Sequence, residues 1–120
     1  MTPEQTSAIS SVFEALSRFE EHAMPACFTD DAVVVSPQGV FHGEAGARRL
    51  VTDLARQYTG FVVAATRIIA DGDTAAVEIA ADVTDFGGGR HRMDGCAVLD
   101  FRGPKIARAR MYWRPEDMQS

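Results

Sequence analysis

The side chains in this sequence that could move a proton inside a pocket are scattered, and their spacing limits what they could do. Histidine changes charge near neutral pH, so His42, between Phe41 and Gly43, is one acid–base candidate. Its alternative is a histidine on a surface loop. Asp94 lies between Met93 and Gly95, two residues after Arg92. A β-bulge there would turn it into a pocket, where burial favours the neutral acid. Without a bulge it faces outward and pairs with Arg92 or a neighbouring strand. Tyr58 offers a phenol, either as a donor inside a pocket or as a core cap with its hydroxyl at the rim. Ser36 ends an apolar run, Ala32 to Val35, just before Pro37. A hydroxyl cannot act as a base unaided, so Ser36 is at most a hydrogen-bond donor and its strand builds wall. His22 reads as helix surface and His91 as loop.

Other chemistries lack their residue patterns. The three histidines have no metal-ligand spacing. Gly87-Gly88-Gly89 lacks the Lys-Ser/Thr and following helix of a phosphate loop, so it reads as a hairpin loop. There is no GxSxG elbow, and neither Cys27 nor Cys96 has a base partner. No metal and no cofactor is expected.

The elements that would position these groups follow from pattern and length. The chain has 120 residues, 46% of them hydrophobic and 24% charged, enough for one domain over 1–120 with one core. No apolar run is long enough to span a membrane. MTPEQTS lacks the basic and apolar regions of a secretory signal, and two distant cysteines suit a reduced, cytoplasmic setting. A net charge of −5 argues against a nucleic-acid partner. Basic residues nevertheless crowd the last third: Arg90, Arg92, Arg102, Lys105, Arg108, Arg110 and Arg114. They form either an anion patch or a solvated, ion-paired sheet face.

Thr2-Pro3-Glu4-Gln5 has the form of a capping box with proline at the first helical position. Ile9, Val12, Phe13, Leu16 and Phe19 then follow at helical spacing. A short second helix is expected over Pro25 to Phe28, a strand over Ala32 to Ser36, and a turn at Pro37-Gln38-Gly39. A third helix begins at Gly43-Glu44, with Ala47, Leu50, Val51, Leu54 and Tyr58 on one face. From Phe61 the period changes from 3.6 to 2. Strands are expected at Phe61–Ala70, Thr74–Thr84, Arg92–Phe101 and Ile106–Trp113, with a hairpin turn at Asp71-Gly72-Asp73. Val77, Ile79, Ala81 and Val83 should face inward and Glu78 and Asp82 outward. This order is α+β.

The order resembles the nuclear transport factor 2-like superfamily, in its SnoaL-like and ketosteroid-isomerase-like branch. The matching pieces are the N-terminal helix with Phe13, FTDDAVVVSP, the Phe41-His42-Gly43 step before an amphipathic helix, IADGDTAAVEI and GPKIARARMYW. The resemblance implies a cone: a curved antiparallel (mixed) sheet wrapped around three helices of the N-terminal half, with a pocket at its wide end. It places Ala107, Ala109, Met111 and Trp113 inward and Arg108, Arg110 and Tyr112 outward. The outer face would meet a second copy in a homodimer.

The family's acid–base positions carry over poorly. Members resembling ketosteroid isomerase have a Tyr where this chain has Phe13, an Asp where it has Ser36, and a second acid near Ala97. In members resembling limonene epoxide hydrolase, the Arg and first Asp of an Asp–Arg–Asp relay would fall around Ala80 to Asp82. Its second Asp would fall on Met111. Three readings follow. The first is binding of a small, largely apolar, steroid- or polyketide-like molecule against Phe13, Val34, Ser36, Leu54, Tyr58, Ile79, Met111 and Trp113. The second is a cofactor-free isomerase, cyclase or hydratase using Asp94 or His42. The third is a non-catalytic association module with a filled cone.

Overall fold

Two helices and a run of long strands carry the chain through residues 1–114, which the computed structural model describes. The expected domain continues into residues 115–120, which lie outside the described residues. Helix α1 covers Pro3–Ser17 and α2 covers Gly43–Gln57. The strands are β1 (Phe28–Ser36), β2 (Gly39–His42), β3 (Tyr58–Asp71), β4 (Thr74–Asp85), β5 (Arg90–Arg102) and β6 (Lys105–Trp113). They form one six-stranded sheet in the order β2-β1-β6-β5-β4-β3. The β1–β6 pair is parallel and the others antiparallel, so the sheet is mixed.

The expected count of three helices is corrected to two α-helices. Pro25–Cys27 is a single 3₁₀ turn, closed by the Cys27 N–H on the Met24 carbonyl at 3.1 Å. The chain is already extended at Phe28, where β1 begins. Strand β1 therefore starts four residues earlier than its apolar run suggests, and its register with β6 shifts between Phe28 and Val33.

Alternation on β4 sorts the sheet into a dry face and a wet one. Ala75, Val77, Ile79, Ala81 and Val83 are buried, while Thr74, Glu78 and Asp82 are exposed. On β6 the inward set is Ile106, Ala109 and Met111, with Trp113 half-buried. Ala107, expected inward, is displaced by an irregularity: Phe101 pairs with Ile106 and Asp100 with Arg108, which leaves Ala107 as the extra residue. Helices α1 and α2 lie on the dry face and contribute Ile9, Val12, Phe13, Leu16, Leu50, Val51 and Leu54 to the core.

Polar ties fix α1 on the sheet. Thr2 Oγ1 accepts the Gln5 N–H at 3.1 Å, and Gln5 Oε1 accepts the Thr2 N–H at 3.1 Å, the capping box read from sequence. Gln5 is only 2% exposed. Its Nε2 donates to Asp73 Oδ1 and to the Gly103 carbonyl, both at 3.0 Å. One side chain thus joins the helix start to the β3–β4 and β5–β6 turns. At the other end of α1, Ser17 Oγ accepts the Val63 N–H at 3.0 Å and donates to the Val63 carbonyl at 3.3 Å.

The basic residues of the last third are partly ion-paired. Arg92 meets Asp94 at 3.5 Å, Arg102 meets Asp31 at 3.2 Å and Arg110 meets Asp100 at 3.8 Å. The Thr29 hydroxyl, followed by the Arg102 guanidinium, holds the Asp31 carboxyl below the usual range. Exposed pairs of this kind contribute little stability.

Removing a buried, fully used side-chain amide costs about 1–3 kcal/mol. Gln5→Ala is therefore expected to lower stability by about that amount in urea unfolding, with the fold retained by circular dichroism. A change near zero would show that the joint with the two turns is dispensable.

Candidate functional site

The cavity lies where both helices meet the dry face of the sheet. Phe13 and Leu16 come from α1, Leu50 and Leu54 from α2, Phe61 and Val63 from β3, and Ile79 from β4. Met93 on β5 and Met111 and Trp113 on β6 complete the wall. Its volume is about 20 Å³, room for about one water-sized sphere. Among the described residues, no carboxylate, imidazole or hydroxyl lines it. Trp113 Nε1 is buried without a hydrogen-bond partner among the described residues, so the indole brings the wall's one side-chain donor.

Polar groups gather just beyond this wall. His91 pairs with Val83 across β4 and β5, and Met93 pairs with Ala81. His91 therefore projects from the same sheet face as Met93, about 6–7 Å further along the strand. Its Nε2 lies 3.0 Å from Asp85 Oδ2, with the two side chains 15% and 22% exposed. Asp85 Oδ1 accepts the Gly87 N–H at 2.9 Å and the Gly89 N–H at 2.8 Å. The loop backbone closes over the carboxylate so tightly that a Cβ on Gly89 would lie 2.7 Å from Asp85 Oδ2. The hydrogen bond from His91, then that from the Gly89 amide, pull the Asp85 carboxyl below its ordinary value. Tyr58 pairs with Asp85 across β3 and β4 and is buried. Burial first, and the Asp85 charge second, push its phenol up, which keeps it protonated.

Taken together, this is an apolar chamber with a polar rim on a curved sheet. The sequence model of the SnoaL-like domain matches residues 9–109. The chain belongs to the SnoaL-like family. A comparison with curated proteins finds no match. Solved structures similar to this SnoaL-like chain include a hypothetical protein of ketosteroid isomerase-like fold from Catenulispora acidiphila, in complex with trimethylamine. It has 17% identity and a TM-score of 0.88 over 98% of this chain and 91% of that one. TerC co-crystallised with polyporic acid has 19% identity and a TM-score of 0.87 over 98% and 99%. An epoxide hydrolase from M. tuberculosis described as LEH-like has 24% identity and a TM-score of 0.80 over 98% and 87%. At these identities the likeness is one of fold.

Within this SnoaL-like fold, five of the residues singled out from sequence meet at the cavity: Phe13, Leu54, Ile79, Met111 and Trp113. Val34 is buried in the core but is not part of the cavity wall. Ser36 sits at the end of β1, where its Oγ accepts the Gln38 N–H at 3.2 Å, so its role is in the turn. Tyr58 stands at the rim. Asp94 pairs with Ala80 on the outer face, is 77% exposed and meets Arg92. No bulge turns it inward. His42 is exposed at the start of α2 and does not cap it. Neither of the two acid–base candidates reaches the chamber.

The rim pair was missed. The three glycines before it suggest a loop at His91, but β5 begins at Arg90 and makes His91 an inward strand position. Counting back by twos from Leu99 through Ala97, Gly95 and Met93 would have found it. Among the described residues, no group of three or more His, Cys, Asp or Glu could hold a metal ion. Among the described residues no helix is long and apolar enough to cross a membrane.

The Asp85 shift fixes a sign. With its folded value depressed, the carboxylate stabilises the loop fully above the ordinary Asp range and loses that effect as pH falls through the depressed value. The amide proton shifts of Gly87 and Gly89 are expected to move together on acidification, with a midpoint below that of a free Asp. A midpoint at or above the free value would refute the loop clamp.

Proposed function

We propose that this SnoaL-like protein binds a small, largely apolar molecule in its cone. The observation that carries the reading is the wall itself, ten apolar or aromatic side chains with no ionisable group among them. Such a chamber rewards burial of hydrocarbon at about 25 cal/mol per Å² and, among the described residues, offers no acid or base of its own. The trimethylamine and polyporic acid named with two similar structures are in keeping with a ligand-holding cone. The chamber must open to admit a ligand of drug-like size. Met93 and Met111 are unbranched and flexible, and repack without breaking backbone contacts.

The closed volume also favours a second reading, a cone filled by its own side chains that serves only for association. The outer face would then matter most. Val62, Ile69 and Tyr112 are 60%, 51% and 55% exposed, and all three stand on that face by their pairing with Asp82, Ala76 and Cys96. On either reading a second copy of the chain is the proposed partner for this face.

Titration with steroids, aromatic polyketides and terpenoid epoxides separates the two readings. Emission from Trp113, the single tryptophan, is expected to change saturably with one class, with a rise in melting temperature. At a hundredfold excess over Kd the added stability is about 2.7 kcal/mol. Met111→Ala should cost about 2–5 kcal/mol by opening a void, and a bound ligand should restore part of it. Silence across the panel in both proteins would leave the association reading. For the proposed dimer, sedimentation should give twice the chain mass, and Tyr112→Asp should shift it toward the monomer.

A further inference from the structure

The binding reading leaves the polar groups at the rim without a task. Asp85 has both oxygens committed, Oδ1 to two loop amides and Oδ2 to His91 Nε2. A carboxylate only accepts, so it fixes the hydrogen on Nε2 and leaves the lone pair of the neutral ring on Nδ1. Among the described residues Nδ1 has no hydrogen-bond partner. The ring cannot turn away easily, because it is 85% covered and its anchor is held by Gly87 and Gly89. Tyr58 approaches from β3 and stays protonated. Asp82, Arg90 and Arg92 stand on the opposite face of the sheet by their pairing. The lone pair therefore belongs to an oriented base whose positive form would be matched by one fixed anion.

We infer that the Asp85–His91 pair is a proton-accepting subsite for a molecule whose apolar body occupies the cone and whose phenolic hydroxyl lies at the rim. This rests on the binding reading above. The step balances without a co-reactant. The ligand O–H bond breaks, its electron pair stays on oxygen, and the proton bonds to His91 Nδ1. The imidazolium so formed is held against the Asp85 carboxylate, and nothing is oxidised or reduced. The arrangement follows the general rule that a base works best when a third group fixes its tautomer and stabilises its charged form.

The probe is para-nitrophenol, whose phenolate absorbs in the visible, with para-nitroanisole as the analogue without an acidic hydrogen. Bound to the wild-type protein, para-nitrophenol is expected to ionise about one pH unit lower than in buffer, a tenfold shift. His91→Gln should abolish that shift while para-nitroanisole still quenches Trp113 equally in both proteins. If para-nitroanisole binds but para-nitrophenol ionises alike in wild type and variant, the subsite is overturned and the binding reading stands. If neither probe binds, both are overturned for ligands of this class.

A measurement without ligand guards against a variant that merely unfolds. Nitrogen-15 spectra of the wild-type protein should show the hydrogen of neutral His91 on Nε2. In Asp85→Asn the new amide can keep its oxygen on Gly87 and Gly89 and turn its NH₂ to His91. That should move the ring hydrogen to Nδ1 and remove the para-nitrophenol shift. An Nδ1–H tautomer in the wild-type protein would overturn the inference outright.

Discussion

One face of a long sheet has to be kept dry, and most of this structure follows from that constraint. The alternation of β4 fixes which face it is: Val77 and Ala81 are 0% and 1% exposed while Glu78 and Asp82 face water. A shift of one residue in register would invert every one of these positions, so the apolar pattern of β4 also sets its unbroken register with β5, whereas β3 follows it only with a shift between Ala65 and Arg67. The helices then have no freedom of placement. Phe13, Leu16, Leu50 and Leu54 can be buried only against this face, and the small space left between them is the chamber. Gln5 and Ser17 anchor the two ends of α1 with polar contacts, which hold the helix in register without adding apolar area.

Where local chemistry and global packing agreed, the sequence could be read directly. The capping box at Thr2 and Gln5 is one case, since its partners are three residues apart. The inward set on β4 is another, since strict alternation needs no tertiary information. The lost reading at Ala107 has the opposite cause. The irregularity between Asp100 and Phe101 is a property of the β5–β6 pair, and nothing near Ala107 announces it. The same is true of the short helix expected after Pro25. Proline is suited to starting a helix, but whether a turn propagates depends on what the next residues pair with, and Phe28 pairs with Ile106.

The site was legible by half. An apolar wall could be inferred from periodicity and the family pattern, because Phe13, Leu54, Ile79, Met111 and Trp113 each occupy a regular inward position. Its volume could not, because that depends on how ten side chains choose rotamers together. The polar rim was hidden by composition. Three consecutive glycines suggest a loop and invite the reader to extend it to His91. The glycines in fact serve the carboxylate: Gly87 and Gly89 donate to Asp85, and Gly89 leaves the space that Asp85 fills. The neighbours of Asp94 in sequence suggest a turn inward, while its side chain stands on the wet face with Arg92.

The separation between chamber and rim has an energetic logic. A carboxylate placed where Ala97 now lies, 0% exposed, would lose its hydration with few donors to replace it. It would stay neutral or cost several kcal/mol, as buried unpaired charges do. At the β4–β5 loop the same group keeps some water, gains two backbone donors and an imidazole, and remains ionised. The fold therefore carries this charge at an end of the dry face where loop N–H groups donate to it. Below Met93 the wall is apolar; above it, a histidine faces a carboxylate that the loop amides already support. A molecule long enough to touch both regions would meet apolar contact along its body and an oriented imidazole at its end, with no buried charge needed in between.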